Sequence, residues 1–225
     1  MTDAKVKRAS VQRAERIGKP SPWKPMGARK SDRAAKRLAV LEAATRLFLE
    51  RGVHRATMTE LAESLNLTKP ALYNYFRSKD EILVACVHLA NEYTSAALAE
   101  VEALEGTGFE RMRAFVERYV GVCILEYGAC MNRIDDRDLP DPVRDEIRRI
   151  DRVIDQRVRA LIERGVEDES IVKCDVRLTT FAIMGSMQWI SRWYRPDGSL
   201  GAEEIAAEFT KRLMASLSPG NGLPA

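Results

Sequence analysis

With 225 residues, 45% hydrophobic and 31% charged, the chain has apolar material for a sizeable core and too much of it to be disordered or fibrous. No apolar run approaches the roughly 20 residues that span a bilayer. The opening MTDAKVKRASVQRAERIGKP lacks the apolar stretch of a secretory signal, so the protein is expected to work in the cytoplasm. The net charge of +3 conceals a division: residues 1–37 hold twelve Lys and Arg against three Asp and Glu, a balance of +9 that leaves −6 for the rest. A basic front on a mildly acidic body suits a polyanionic partner, although a solvated basic tail has the same composition.

Residues 1–30 carry Pro20, Pro22 and Pro25 with almost no apolar periodicity and read as a flexible basic arm. From Asp32 the pattern turns helical. Leu38, Leu41, Ala44, Leu47 and Phe48 recur at spacings of three and four, and Gly52 supplies a C-cap. A short helix is predicted from Thr59 to Leu65, with Thr59 as N-cap and Glu60 at the positive end of its dipole. Asn66 falls where the chain must turn and tolerates the left-handed conformation. Thr68 caps a third helix, Lys69 to Phe76, with Pro70 in its first turn, where a missing N–H costs little. Ser78-Lys79-Asp80-Glu81 has the form of a capping box and opens a long helix to about Leu104.

Beyond Gly106 and Gly108, a helix is predicted from Phe109 to about Tyr127, or on to Asn132. The stretch from Asp135 to Pro142 reads as a loop. Further helices follow from Val143 to about Arg164, ended by Gly165, from Asp175 to Tyr194, and from Ala202 to Leu217, before the breaker-rich tail PGNGLPA. There is no strand-like alternation, and the fold class is all-α.

Two short helices joined by a tight turn form a helix-turn-helix. Leu61, Ala62, Leu65, Leu67, Leu72 and Phe76 are the expected small core. Thr68, Lys69, Ala71, Tyr73, Asn74 and Tyr75 then face outward. Lys and Tyr bond phosphate oxygens, Asn pairs with adenine edges, and Ala or Thr methyls touch thymine methyls. The alternative for Tyr73 and Tyr75 is ordinary packing against the fourth helix.

Residues 33–83 closely resemble the DNA-binding domain of the TetR repressor family, through VLEAATRLFLERGVHRATM followed by MTELAESLNLTKPALYNYFRSKDEILVAC. Many members carry Gly where this chain has Asn66 and Pro70; neither departure threatens the fold, but Pro70 alters which backbone groups meet phosphate. The resemblance implies that Thr57, Thr68, Lys69, Tyr73, Tyr75 and Lys79 contact phosphate or groove, with Pro70 beside them and Ala71 and Asn74 reading bases. It further implies four segments: arm 1–30, helix-turn-helix domain 31–78, a ligand-binding and dimerisation domain 79–218, and tail 219–225. The expected molecule is a three-helix reading head on a helical body, about nine helices in all. It forms a homodimer through its last two helices and binds an approximately palindromic operator in double-stranded DNA.

The segment FAIMGSMQWISRWYRPDGSLGAEEIAAEF resembles the subgroup that senses acyl-CoA thioesters or related fatty-acid and steroid catabolites. The expected effector is therefore an acyl-CoA thioester or such a catabolite, or else a different hydrophobic ligand of an efflux or catabolic operon. Candidate pocket residues are Cys130, Met131, Met184, Gln188, Trp189, Arg192 and Trp193. Trp189 and Trp193 share a helix face, and Arg192 with Arg195 suits phosphate or carboxylate. The tryptophans read equally as dimer-interface anchors, and Cys130, Met131, Met184 and Met187 as simple core.

Cys86, Cys123, Cys130 and Cys174 have no metal-ligand spacing and read as reduced packing residues. Asp135, Asp136, Asp138 and Asp141 lack a partnering His and border a helix N-terminus, where acids are stabilising. Glu81 and His88, two turns apart, are a weak metal pattern, and His54 reads as a loop or phosphate-contact residue. No Gly-rich phosphate loop, nucleophile elbow or H-E-x-x-H is present, so no enzyme activity and no cofactor are expected. A sequence-blind architectural DNA binder is the remaining alternative.

Overall fold

The computed structural model describes residues 29–134 and 139–221, and its described α-helices, nine in number, run with no strand among them. The predicted arm up to residue 28, Asp135, Asp136 and Asp138, and the last four residues of the tail lie outside the described residues. The helices are α1 (Arg29–Arg51), α2 (Met58–Ser64), α3 (Lys69–Tyr73), α4 (Lys79–Glu102), α5 (Gly108–Ile124), α6 (Glu126–Arg133), α7 (Asp141–Glu167), α8 (Val176–Trp193) and α9 (Ala202–Leu217). Contacts divide the chain inside α1, between Val40 and Leu41. The described part of the first unit is the opening of α1, where Lys36 pairs with Asp32 one turn earlier, 2.6 Å apart. The second unit holds the other eight helices and the end of α1.

Helix α5 is the axis of this second unit. Met112, Phe115, Val116, Tyr119, Val120, Val122 and Cys123 are buried around its circumference, and it packs against α4, α6, α7, α8 and α9. Its neighbours contribute Leu98 and Val101 from α4, Val158, Leu161 and Ile162 from α7, Ile183, Met187 and Ile190 from α8, and Ile205, Met214 and Leu217 from α9. Each such side chain contributes about 1.5–3 kcal/mol through removal from water. Helix α4 is long and apolar enough by length and composition to cross a membrane, contrary to the expectation from the sequence, but Ile82, Leu83, Cys86, Val87, Ala90, Ala97, Leu98 and Val101 are buried in this fold.

A buried helix must still satisfy its first N–H groups. In α5 each of these is met. Thr107 Oγ1 accepts from Glu110 N–H at 3.2 Å, and Glu110 accepts from Thr107 N–H at 2.9 Å. Across the chain, Asp168 accepts from Gly108 N–H at 2.7 Å and Ser170 Oγ from Phe109 N–H at 3.0 Å. The Ser170 and Gly108 hydrogen bonds hold the Asp168 carboxyl below its usual range.

Several boundaries differ from the sequence reading: α1 begins at Arg29, inside the expected arm, and α7 at Asp141, inside the expected loop. The helix starting at residue 108 does not run to Tyr127: Leu125 is extended, with φ −60 and ψ 144, and α6 starts anew. The break is tight, since a Cβ on Gly128 would lie 2.0 Å from the Val122 carbonyl oxygen. Gly165 does not end α7, which continues to Glu167. It is a packing position: a Cβ on Gly108 would stand 2.2 Å from the Gly165 nitrogen. Helix α2 starts one residue earlier than predicted, capped by Thr57 and not Thr59.

Gly108→Ala drives a methyl into backbone and is expected to destabilise the protein by about 1–3 kcal/mol. Gly121, exposed in the same helix with nothing within 4 Å of a Cβ, is the control. Gly121→Ala should gain about 0.5–1 kcal/mol. Denaturant unfolding of the two variants checks both signs.

Candidate nucleic-acid interface

Helix α2 opens at T-x-x-E, Thr57 to Glu60. Thr57 N–H and hydroxyl both donate to Glu60, at 3.0 and 2.9 Å, and the hydroxyl oxygen accepts from Glu60 N–H at 3.2 Å. These bonds hold the Glu60 carboxyl below its ordinary value. Thr57, exposed at the start of α2, thus makes these bonds within the helix's own first turn.

The turn after α2 depends on Asn66, whose φ of +54 is left-handed. Leu67 N–H donates to Ala62 O at 2.8 Å and Asn66 N–H to Glu63 O at 3.0 Å. This paired pattern closes a helix end and reverses the chain. Thr68 Oγ1 then accepts from Ala71 N–H at 3.4 Å, and Pro70 sits in the first turn of α3.

Helix α3 ends at Tyr73 instead of Phe76. Tyr75 and Phe76 N–H both turn back to Leu72 O, at 2.9 and 3.2 Å, which drives Phe76 into the interior before α4 begins. Leu61, Ala62, Leu72 and Phe76 are buried as expected, whereas Leu65 and Leu67 are only half-buried. The outward ridge comprises Thr68, Lys69, Pro70, Tyr73 and Asn74, with Tyr73 42% exposed. Ala71 and Tyr75 are half-buried, so the packing alternative suits Tyr75 better than Tyr73.

Ser78 Oγ accepts from Glu81 N–H at 3.1 Å, but Glu81 reaches Arg77 N–H at 2.6 Å, completing only half of the predicted box. Lys79 does not point away from the head. Its ammonium donates to Val53 O at 2.8 Å and His54 O at 3.3 Å, in the α1–α2 connection. His88 pairs with Glu146 on α7 at 3.1 Å and not with Glu81.

The predicted ligand residues fall into two groups. Cys130 and Met184 are buried, Met131 is half-buried, and Gln188 donates to the buried Tyr119 hydroxyl at 3.4 Å. Burial pushes the thiols of Cys86, Cys123 and Cys130 up, to about 11, 12 and 12, so they remain protonated at neutral pH. Trp189, Arg192 and Trp193 face the other way. Trp189 is 61% exposed beneath the Arg192 guanidinium, and Trp193 stacks on Phe209 with ring centroids 6.3 Å apart. A groove of about 560 Å³ runs between α8 and α9, lined by Gly185, Ser186, Trp189, Phe209, Arg212 and Leu213.

One buried seam was not foreseen. Asn132 donates to Ser191 Oγ at 2.8 Å, Ser191 Oγ donates to Cys123 O at 3.1 Å, and Arg133 Nε donates to Ser191 O at 2.7 Å. It ties α5 and α6 to α8. Its members lie about sixty residues apart, so local spacing gives no sign of it; the sequence signal is the polar Ser191 beside the apolar Met184, Met187 and Ile190.

Residues 40–86 match the family described as bacterial regulatory proteins, tetR family. Residues 105–217 match the tetracyclin repressor-like C-terminal domain. The chain is 25% identical over 203 residues to the HTH-type transcriptional repressor KstR2 of Mycolicibacterium smegmatis, across 85% of this chain and 95% of that protein. The TetR family regulator PfmR from Thermus thermophilus superposes with a TM-score of 0.71 at 30% identity, covering 80% of this chain and 98% of that one. AibR in complex with isovaleryl coenzyme A and operator DNA also has a TM-score of 0.71, at 22% identity over 81% of this chain and 98% of that one, a likeness of fold.

Proposed function

The chain belongs to the TetR family of bacterial regulatory proteins, and from that premise we propose a dimeric cytoplasmic repressor whose α3 ridge reads an approximately palindromic operator. The observation that carries this reading is the ridge itself: Thr68, Lys69, Tyr73 and Asn74 stand exposed on a turn whose Leu72 and Phe76 are fully buried. Residues 31–78 serve as the reading head and 79–218 as the body. We assign Lys69 and Tyr73 to phosphate oxygens and Asn74, with the half-buried Ala71, to base edges. The basic composition ahead of the head adds sequence-independent attraction.

A random duplex pool enriched on the full-length protein should yield a two-fold symmetric sequence. Lys69→Ala and Tyr73→Ala should each weaken binding to that duplex by about tenfold, the factor that 1.4 kcal/mol carries. Lys69→Ala should also reduce the salt slope by about 0.9 per head. Equal affinity of the native protein for the enriched and a random duplex would favour the architectural alternative.

The dimer is assigned to α8 and α9. One face of α8 fills the core, yet Leu178, Phe181, Trp189 and Trp193 leave a second apolar face on the outside. A helix apolar on both sides is covered on both sides. Trp189→Asp changes an exposed residue and should leave the protomer folded. In sedimentation it should convert a dimer into a monomer, with loss of tight operator binding.

The effector we propose is an acyl-CoA thioester or a related lipid or steroid catabolite. Its acyl part would be received near Cys130, Met131, Met184 and Gln188, whereas Trp189, Arg192 and Trp193 go with the dimer face. Support comes from the isovaleryl coenzyme A bound by AibR. A thermal-shift screen against CoA thioesters, free fatty acids, steroids and hydrophobic drugs should show stabilisation by a thioester, through mass action. A shift from another class alone retires the thioester.

A further inference from the structure

We infer that Lys79 is a positioning residue of the reading head, a tether between its first turn and its last, and not one of its phosphate contacts. The inference rests on the DNA-binding reading above and concerns how that head is held.

The geometry is specific. Helix α1 ends at Arg51, and the next residue, Gly52, with φ of +80, turns the chain out of the helix while its N–H donates to Phe48 O at 2.9 Å. The following segment must reach Thr57, the cap of α2, in five residues. Ala56 is buried and its N–H closes on Gly52 O at 3.2 Å. The Val53 and His54 carbonyls accept the Lys79 ammonium from 26 and 25 residues further on. Lys79 is the first residue of α4, immediately after the recognition turn and its Ser78 cap. One side chain therefore joins the entry of the helix-turn-helix to its exit.

Charge argues the same way. A cation at the first position of a helix faces the positive end of the dipole, which favours acids. Asp80 and Glu81 follow that rule and Lys79 breaks it. Two of the three ammonium donors are occupied by backbone carbonyls, and the side chain is half-buried. A residue reaching for phosphate would extend from the ridge, as the exposed Lys69 does on α3.

Lys79→Met separates the two roles. In the free full-length protein it should speed amide exchange across residues 52–57 with little change in Tm. On DNA it should cut affinity for the enriched duplex by about tenfold. Affinity for a random duplex of equal length and the salt slope of the enriched one should stay at native values, because no phosphate contact is removed. Lys69→Ala serves as the phosphate-contact comparison. Unchanged exchange in residues 52–57 overturns the inference, as does a salt slope reduced by about 0.9 per head with equal losses on both duplexes. If the native protein enriches no duplex, the DNA-binding reading fails. The exchange comparison, which needs no DNA, still decides whether Lys79 holds the turn.

Discussion

A helix of five residues has almost no hydrogen bonding of its own to stand on, because nucleation fixes several residues before the first bond is gained. Helix α3 and the seven-residue α2 exist because their ends are tied and one side of each is buried. Thr57 with Glu60 starts α2, Asn66 in the left-handed region closes it, and Thr68 starts α3. Leu61, Ala62, Leu72 and Phe76 then take the apolar side out of water. What remains outside is a short polar ridge with little freedom of direction, the property a groove-reading element requires.

Helix α4 joins the recognition turn to the core around α5. At 24 residues it is about 36 Å long at 1.5 Å per residue, and it begins at the cap that ends the recognition turn. Its length is tied at intervals. His88 reaches Glu146 on α7, Arg118 on α5 reaches Glu100 at 3.3 Å, and Arg157 grips Glu102 with two bonds of 2.8 Å. The same α5 and α7 hold the core, and Ser191 links α5 and α6 to α8. An effector that alters the packing around α5 and α6 therefore acts on elements in direct contact with the helix that carries the head.

Much of this was legible in the sequence because it is local. Gly52, Asn66, Thr68 with Pro70, and the limits Ala202 and Leu217 each follow from what one residue does to its own backbone. Thr57 is equally local, yet the sequence reading places the cap at Thr59; only Thr57 has Glu60 at the third helical position. The break at Leu125 and the continuation of α7 through Gly165 are different in kind. Gly128 and Gly165 sit where backbone or side chain from another segment comes within bonding-like distance of a hypothetical Cβ. A glycine chosen for close approach is indistinguishable from a terminator until the neighbour is known. The same holds for Lys79 and Ser191, whose partners lie on other elements.

The outward tryptophans show how one sequence pattern can serve two surfaces. Helix α8 alternates faces at helical spacing, with Ile183, Met187 and Ile190 turned inward and Leu178, Phe181 and Trp189 turned outward. Periodicity alone assigns both sets to a core, and both are apolar for the same reason. Leaving the outward set in water forgoes about 1.5–3 kcal/mol for each large side chain. Contiguous patches of that kind on soluble proteins mark contact surfaces. Across a two-fold axis the face meets itself, so each residue that is hidden is hidden twice. In the proposed dimer the same axis sets two ridges, each of Thr68, Lys69, Tyr73 and Asn74, at one fixed separation, as a reader of a longer, symmetric site requires. In the proposed dimer, cover for the outer face of α8 and specificity for α3 both follow from a single symmetry operation.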